Sequence, residues 1–313
     1  MQNCDITNNH LKDVIDNLRT YLEKEEETPA DLVLKFVFEL KVSNLLIPAI
    51  QEEDAFSFER LESDEDDDSY IPLFTDIEEY KSHVTEDLGY EPLTFDFDTY
   101  KELVMENDFE GIVINVESNS MPVDKDFLNN MLFDVDTVED EDYEAYGPEK
   151  LKEIFETATN DSLLEFIRDE ENNADIEKLY VELSNSTLLN LTVSDDPLDE
   201  FAQDGIIDAD DIDGFNLCCF EDDNIRFGAV FTDRQSINKL LEADTELCYY
   251  GQVTVLSALF EYILRNDMDG IIINPATDDY FITRDDILPQ ASGIEVIIDD
   301  PSLENAIKYS FEL

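Results

Sequence analysis

The chain has 313 residues, with Lys and Arg at 19 against Asp and Glu at 80, a formal net charge of −61. That balance excludes direct binding of nucleic acid or anionic membranes, which need cationic counterparts, and favours basic partners or cations. A hydrophobic content of 42% with 20 Phe and 13 Tyr excludes a disordered acidic tail, and the length suits two domains with separate cores.

The N-terminus, Met1-Gln-Asn-Cys-Asp-Ile6, has no basic region and no long apolar run. Neither a signal peptide nor a membrane span is expected, and a cytoplasmic location is the default. Cys4, Cys218, Cys219 and Cys248 show no disulfide or zinc spacing, which fits a reducing interior, with Cys218 and Cys219 in an apolar strand.

Leu11, Val14, Ile15, Leu18 and Leu22 have helical spacing and predict a first helix that ends at the acidic cluster Glu23 to Glu27. Thr28-Pro29 predicts a second helix start, with proline in its first position, running to about Val42. Leu45 to Ile50 reads as a strand, and residues 51–69 as a solvated loop containing Asp64 to Asp68. A strand-to-helix junction follows at Phe74-Thr75, then a short segment around Leu93 to Phe95, a helix with Tyr100, Leu103 and Val104, and a strand at Ile112 to Ile114. Met121-Pro122-Val123 reads as a closing turn, with a helix over Asp124 to Leu132. Residues 134–148 read as an acidic linker ending Gly147-Pro148, dividing a domain at 1–133 from one at 149–313.

Beyond it, helices are expected at 149–158, 161–169 and 174–184, a strand at Thr187 to Val193, and an acidic loop over Asp195 to Asp213. Phe215 to Phe220 and Ile225 to Phe231 form an expected hairpin. Leu247 to Gly251 leads into a helix whose stripe is Leu256, Leu259, Phe260, Ile263 and Leu264. Gly270 then opens a buried strand, Ile271 to Ile273, that Asn274-Pro275 stops. Tyr280 to Ile282 is a short strand partner, Ile294 to Ile298 a last strand, and Asp300-Pro301 starts a final short helix.

Three landmarks recur. Asn107-Asp-Phe-Glu-Gly111-Ile-Val-Ile-Asn115 returns as Asn266-Asp-Met-Asp-Gly270-Ile-Ile-Ile-Asn274, shifted by 159 (270 against 111). Phe74-Thr75-Asp76-Ile-Glu78 returns as Phe231-Thr232-Asp233-Arg-Gln235, shifted by 157 (231 against 74). Glu39-Leu40 to Leu46 returns as Glu182-Leu183 to Leu189, shifted by 143 (182 against 39). Unequal shifts place loops of different length between landmarks. Thr75 and Thr232 read as the N-caps of capping boxes, with Glu78 and Gln235 reaching back. The fold class is therefore α+β, with two tandem, similar domains, each a small mixed sheet flanked by helices.

At these residues the chain resembles the SseB family. Phe231-Thr232-Asp233 followed by a helix, then a helix leading to Gly270-Ile-Ile-Ile-Asn274-Pro275, looks like the SseB N-terminal domain, and the resemblance covers most of both halves. The first copy departs from it at Val116, where proline is expected. The resemblance implies small α+β domains without an agreed enzymatic activity, hence a non-catalytic role.

Motifs that carry chemistry are few. His10 and His83 read as surface helix residues with no strand-end Ser or Cys beside them, and no Gly-x-Ser-x-Gly elbow or glycine-rich phosphate loop occurs. Asp208 to Gly214 resembles half an EF-hand loop. With Gly214 in the sixth position, however, Ala209 falls at the first and Phe220 at the twelfth, so it fails as a calcium loop. No catalytic residue, metal ligand or cofactor site is expected, apart from weak divalent-cation binding by clustered carboxylates. Asn115 and Asn274, with Gly111, Gly270, Thr75 and Thr232, form a repeated motif. It marks either a shared ligand or partner contact at the strand end, or a turn whose Asn caps backbone groups.

Three functions fit these features. The first is a non-enzymatic interaction or adaptor protein whose acidic face binds a basic protein, as monomer or homodimer. The second is a nucleic-acid mimic occupying a basic cleft, and the third an enzyme with an interdomain site.

Overall fold

The computed structural model describes residues 6–24, 28–51, 56–62, 68–85, 89–130, 145–169, 174–194, 197–198, 201–212, 216–222, 225–243, 248–291, 301–303 and 305–313. The fold is α+β, and the chain divides into two compact units, Met1–Asp134 with Arg265–Asp267, and Val135–Leu264 with Met268–Leu313.

The first unit contains α1 (Asn9–Glu23), α2 (Ala30–Val42), β1 (Leu45–Gln51), β2 (Phe56–Phe58), β3 (Leu61–Glu62), β4 (Ser69–Leu73), α3 (Ile77–His83), β5 (Glu91–Phe95), α4 (Phe97–Glu106), β6 (Gly111–Ile114), β7 (Met121–Asp124) and α5 (Lys125–Asn130). β4 runs parallel to β6, with Tyr70 opposite Gly111 and Leu73 opposite Ile114, and β7 closes the other side antiparallel. β1 lies antiparallel between β2 and β5. One bridge joins the two sheets: Leu46 and Phe74 exchange backbone hydrogen bonds of 2.8 and 2.9 Å. The apolar stripes of α1, α2 and α4 bury Leu11, Ile15, Leu40, Tyr100 and Val104 with Ile47, Ile71 and Ile112 in one core. Burial of such stripes is the main driving force for these short helices.

The second unit contains α6 (Pro148–Thr157), α7 (Asp161–Arg168), α8 (Ile176–Ser184), β8 (Leu189–Ser194), β9 (Ile206–Asp208), β10 (Asn216–Leu217), β11 (Cys219–Asp222), β12 (Ile225–Phe231), α9 (Arg234–Ala243), β13 (Cys248–Val253), α10 (Leu256–Arg265), β14 (Gly270–Ile273), β15 (Tyr280–Thr283), α11 (Arg284–Ala291) and β16 (Tyr309–Glu312). The sheet order is β15-β14-β12-β8-β13-β16-β9, with β10 on β8 and β11 on β12. Its first five strands repeat the pattern β7-β6-β4-β1-β5. β12 is parallel to β14, and the Leu189–Phe231 pair stands where the Leu46–Phe74 bridge stands.

The structure corrects several expectations. The 51–69 segment is not only loop: it carries β2 and β3. Met121–Asp124 is a strand rather than a turn, because its backbone completes the ladder of β6. Pro29 sits at the N-cap of α2, with φ −58° and ψ 137°, one position before the first helical residue. The 195–213 loop contains β9, which pairs with β16, and β16 itself was not expected. Cys218 is buried, but Cys219 faces outward on β11. The expected strand Ile294 to Ile298 and linker residues 134–144 lie outside the described residues.

Candidate functional site

The Asn and Thr of the repeated motif sit at the carboxyl end of the parallel strand pair in each unit, and its glycines at the amino end of β6 and β14. Carboxyl ends of strands are common ligand positions in α/β sheets. Gly111 and Gly270 open β6 and β14 with φ of 158° and 149°, and a Cβ there would lie 2.2 Å from the Val123 carbonyl oxygen and 2.1 Å from that of Ile282. Only glycine admits this approach of the neighbouring strand.

Asn115 and Asn274 end those strands in the left-handed region, both at φ 51°, and both are fully buried. Asparagine is among the few side chains that tolerate that conformation. In the first unit, the Thr75 amide donates to Asn115 Oδ1 at 3.0 Å, and Asn115 Nδ2 donates to Thr75 Oγ1 and Asn119 Oδ1, both at 3.0 Å. In the second, the Thr232 amide donates to Asn274 Oδ1 at 2.9 Å. Asn274 Nδ2 donates to Thr232 Oγ1 at 2.8 Å and Asp278 Oδ2 at 2.9 Å. The polar atoms of each asparagine are thus engaged inside the fold.

Thr75 and Thr232 are not the helix caps. Asp76 Oδ1 accepts from the Glu78 and Glu79 amides at 2.8 and 2.9 Å, and Asp233 Oδ1 accepts from the Ser236 amide at 2.8 Å. The next residue takes the cap because the buried threonine is committed to its asparagine. Burial alone would raise the Asp76 carboxyl, but the Lys12 ammonium bonded to it and the Glu79 and Glu78 amides hold it below the usual carboxylate range.

A further repeated pair completes the site. Asn8 Nδ2 donates to the carbonyls of Thr75 at 2.6 Å and Asn44 at 2.8 Å, and Asn160 Nδ2 donates to those of Thr232 at 2.6 Å and Thr187 at 2.9 Å. Each residue directly precedes its helix, α1 or α7. The sequence signal was an Asn one position before each opening helix.

His83 is half-buried rather than freely exposed. Its side chain is 14% exposed, its ring lies 5.5 Å from that of Phe74, and Nδ1 is 3.1 Å from Glu117 Oε1 and Nε2 3.4 Å from Glu59 Oε1. Beside it, burial with the charges of Glu59 and Glu91 pushes the Tyr80 phenol up to about 12. Among the described residues, no serine or cysteine bonds to either ring nitrogen, so none of them forms a nucleophile–base pair with His83. Among the described residues, no group of three or more His, Cys, Asp or Glu is placed to hold a metal ion. Of the candidate calcium loop, Ala209–Asp211 form a 3-10 turn, and Asp213 and Gly214 lie outside the described residues.

The second unit also contains a cavity of about 230 Å³, lined by residues of β8, β10, β13, α10 and Ile307. β8 and β13 present Asn190, Thr192, Gln252 and Thr254 on one face, since Asn190 pairs with Gln252 and side chains alternate. All four are at least 90% buried. Gln252 Nε2 donates to the Ile307 carbonyl at 2.9 Å, and Asn190 Nδ2 donates to Gln252 Oε1 at 3.2 Å. Asn190 Oδ1 and Thr254 Oγ1 have no hydrogen-bond partner. Each such orphan costs about 1–3 kcal/mol, so two beside one cavity call for a compensating role.

Among the described residues, no helix is long and apolar enough to cross a membrane. Comparison with protein-family models, curated proteins and solved structures finds no match to this chain.

Proposed function

We propose that this protein is a non-enzymatic interaction protein of two SseB-like domains, acting in the cytoplasm, whose acidic surface binds a basic protein. The observation that carries this reading is the net charge of −61. A field of that size draws basic partners by long-range steering and repels nucleic acid and anionic lipid. Two further features support it: the side chains of the repeated motif bond to each other, and among the described residues no serine or cysteine bonds to His83.

The test is affinity capture on the purified full chain from the source lysate at 0.15 and about 0.5 M salt, a range that shortens the screening length severalfold. The partner is then purified and titrated. A stoichiometric basic protein released at the higher salt is the expected result. If DNA competes with that protein for binding, the partner's nucleic-acid cleft is the target and the chain acts as a mimic. Saturable turnover of a small molecule, abolished by one substitution, would overturn the reading.

A further inference from the structure

The cavity of the second unit lies where the first unit packs aromatic rings. The repeat shifts set Asn190 on Ile47, Thr192 on Ala49, Gln252 on Leu93 and Thr254 on Phe95 (190 against 47 and 192 against 49; 252 against 93 and 254 against 95). Leu217, opposite Thr192, takes the place of Phe58, opposite Ala49. In the first unit the rings of Phe58 and Tyr100 pack 6.2 and 5.9 Å from that of Phe95. In the second, this aromatic filling is gone, and amides and hydroxyls stand on the wall. A polar wall facing an unfilled cavity, inside an otherwise apolar layer, is the arrangement of a ligand site.

The hydrogen bonds fix what the wall offers. The Ile307 carbonyl can only accept, so Gln252 turns its Nε2 toward it and its Oε1 toward Asn190. Asn190 must then donate through Nδ2, which leaves Oδ1, an acceptor, as its spare atom. Thr254 Oγ1, the other spare atom, can donate or accept. Asn190 and Thr254 are diagonal neighbours across β8 and β13, because Asn190 pairs with Gln252. Apart from Thr192, which bonds to Tyr250 and Ser310, and the phenol of Tyr262, which bonds to the Leu217 backbone, the remaining lining is apolar, chiefly Leu217, Val253, Ala258 and Leu259, and among the described residues it includes no Asp, Glu, Lys or Arg.

We propose that this cavity is a binding site for a small uncharged molecule with a carboxamide-like head and an apolar body. The head donates N–H to Asn190 Oδ1 and pairs its carbonyl with the Thr254 hydroxyl. The body fills the space that Phe95 and Phe58 occupy in the first unit. A charged head finds no counter-ion among the described lining residues, and an anion is further opposed by the net charge. A cavity of about 150 Å³ holds benzene, so this one admits a body and head of about ten non-hydrogen atoms.

Benzamide is a suitable probe, with benzoate and benzylamine as its anionic and cationic counterparts. Each is titrated into the full chain while the methyl resonances of Thr254, Ala258, Leu217 and Val253 are followed. Benzamide is expected to shift these methyls with millimolar affinity and leave the first unit's methyls in place, and the charged probes to bind at least tenfold more weakly. Thr254→Val keeps the shape and removes the hydroxyl, and is expected to weaken benzamide about fivefold, the value of one hydrogen bond. Asn190→Ile installs the side chain of Ile47 and is expected to abolish the shifts. If Asn190→Ile does not fold, the near-isosteric Thr254→Val decides. The proposal is overturned if benzamide leaves the cavity methyls unmoved, if either charged probe binds as tightly, or if folded Thr254→Val retains full affinity. None of these outcomes bears on the capture of a basic protein, which concerns the outer surface.

Discussion

In the first unit, the face of β1 and β5 that packs under α4 carries Ile47, Ala49, Leu93 and Phe95. The second unit puts Asn190, Thr192, Gln252 and Thr254 on the same face of β8 and β13. Backbone pairing is the same in both, with Ile47 opposite Leu93 and Asn190 opposite Gln252. The ladder therefore does not depend on what the side chains do. What differs is how the space above them is filled: with phenylalanine in one unit, and with a cavity beside unpartnered polar atoms in the other. The strand-end motif, by contrast, keeps its central Asn–Thr hydrogen bonds in both units: amide to Oδ1, and Nδ2 to Oγ1. The two units share a frame and differ in one layer.

If that frame is held by the motif, breaking it should cost the same in either unit. Gly111→Ala and Gly270→Ala each push a Cβ to about 2 Å from a carbonyl oxygen. Each should destabilise its own unit by about 3 kcal/mol, and the strand cannot retreat without losing its ladder. Hydrogen exchange of the β6 or β14 amides reads the loss unit by unit. A substitution tolerated in one unit alone would break the equivalence.

Asn115→Ala and Asn274→Ala should come next, at about 2–3 kcal/mol each. Each leaves a buried threonine amide unpartnered and puts alanine at φ 51°; the Thr75 hydroxyl also loses its partner, while that of Thr232 keeps Asp233. The measurement is the urea midpoint for loss of exchange protection in the unit concerned.

The divergent layer gives a difference of sign. Phe95→Thr removes a ring that packs on Phe58 and Tyr100, and should destabilise the first unit by about 2 kcal/mol. Thr254→Val, at the equivalent place, removes an unpartnered hydroxyl and should leave the second unit unchanged or stabilise it by up to about 1 kcal/mol. Equal destabilisation by both, in thermal melts resolved by exchange, would mean that the second layer is as fully satisfied as the first.

Much of this was legible in the sequence. The Gly270 to Asn274 run, with its earlier copy, marked a buried strand in each unit, and the helices α1, α4 and α10 appear where their spacing placed them, although Leu22 of the α1 stripe is exposed and Leu103 of α4 only partly buried. Capping was misassigned because Thr75 and Asp76 are both good caps, and only the contact with Asn115, 40 residues away, decides between them. β9 and β16 were missed because Ile206 pairs with Phe311 across about a hundred residues, with no repeat to flag either strand. The cavity was within reach: aligning Leu189-Asn-Leu-Thr192 with Leu46-Ile-Pro-Ala49 puts polar residues where the copy is apolar. What the sequence did not show is that Asn190 Oδ1 and Thr254 Oγ1 stay unpartnered, since that depends on Gln252 bonding to Ile307.

The smallest effect separates the two copies of the motif by charge. Position 119 in the first unit is a neutral asparagine bonded to Asp16, whereas its counterpart, Asp278, pairs with Arg168 at 2.6 Å. Burial alone would raise the Asp278 carboxyl, but the bond and charge of Arg168, with the donors Asn274 and Thr277, hold it below its ordinary value of 3.8. A carboxyl depressed in the folded state adds stability that is complete above its unfolded pKa and is lost as pH falls through the folded one. Asp278→Asn, which restores the residue of the first unit, should therefore cost the second unit about 1 kcal/mol at pH 7, the guanidinium being largely solvent-exposed. The wild-type advantage should hold down to about pH 5 and shrink below about pH 4. Urea midpoints of the two proteins, read by β14 exchange across that range, test it. A difference that stays constant from pH 7 to pH 3 would assign the loss to packing and leave the ion pair without a stabilising role.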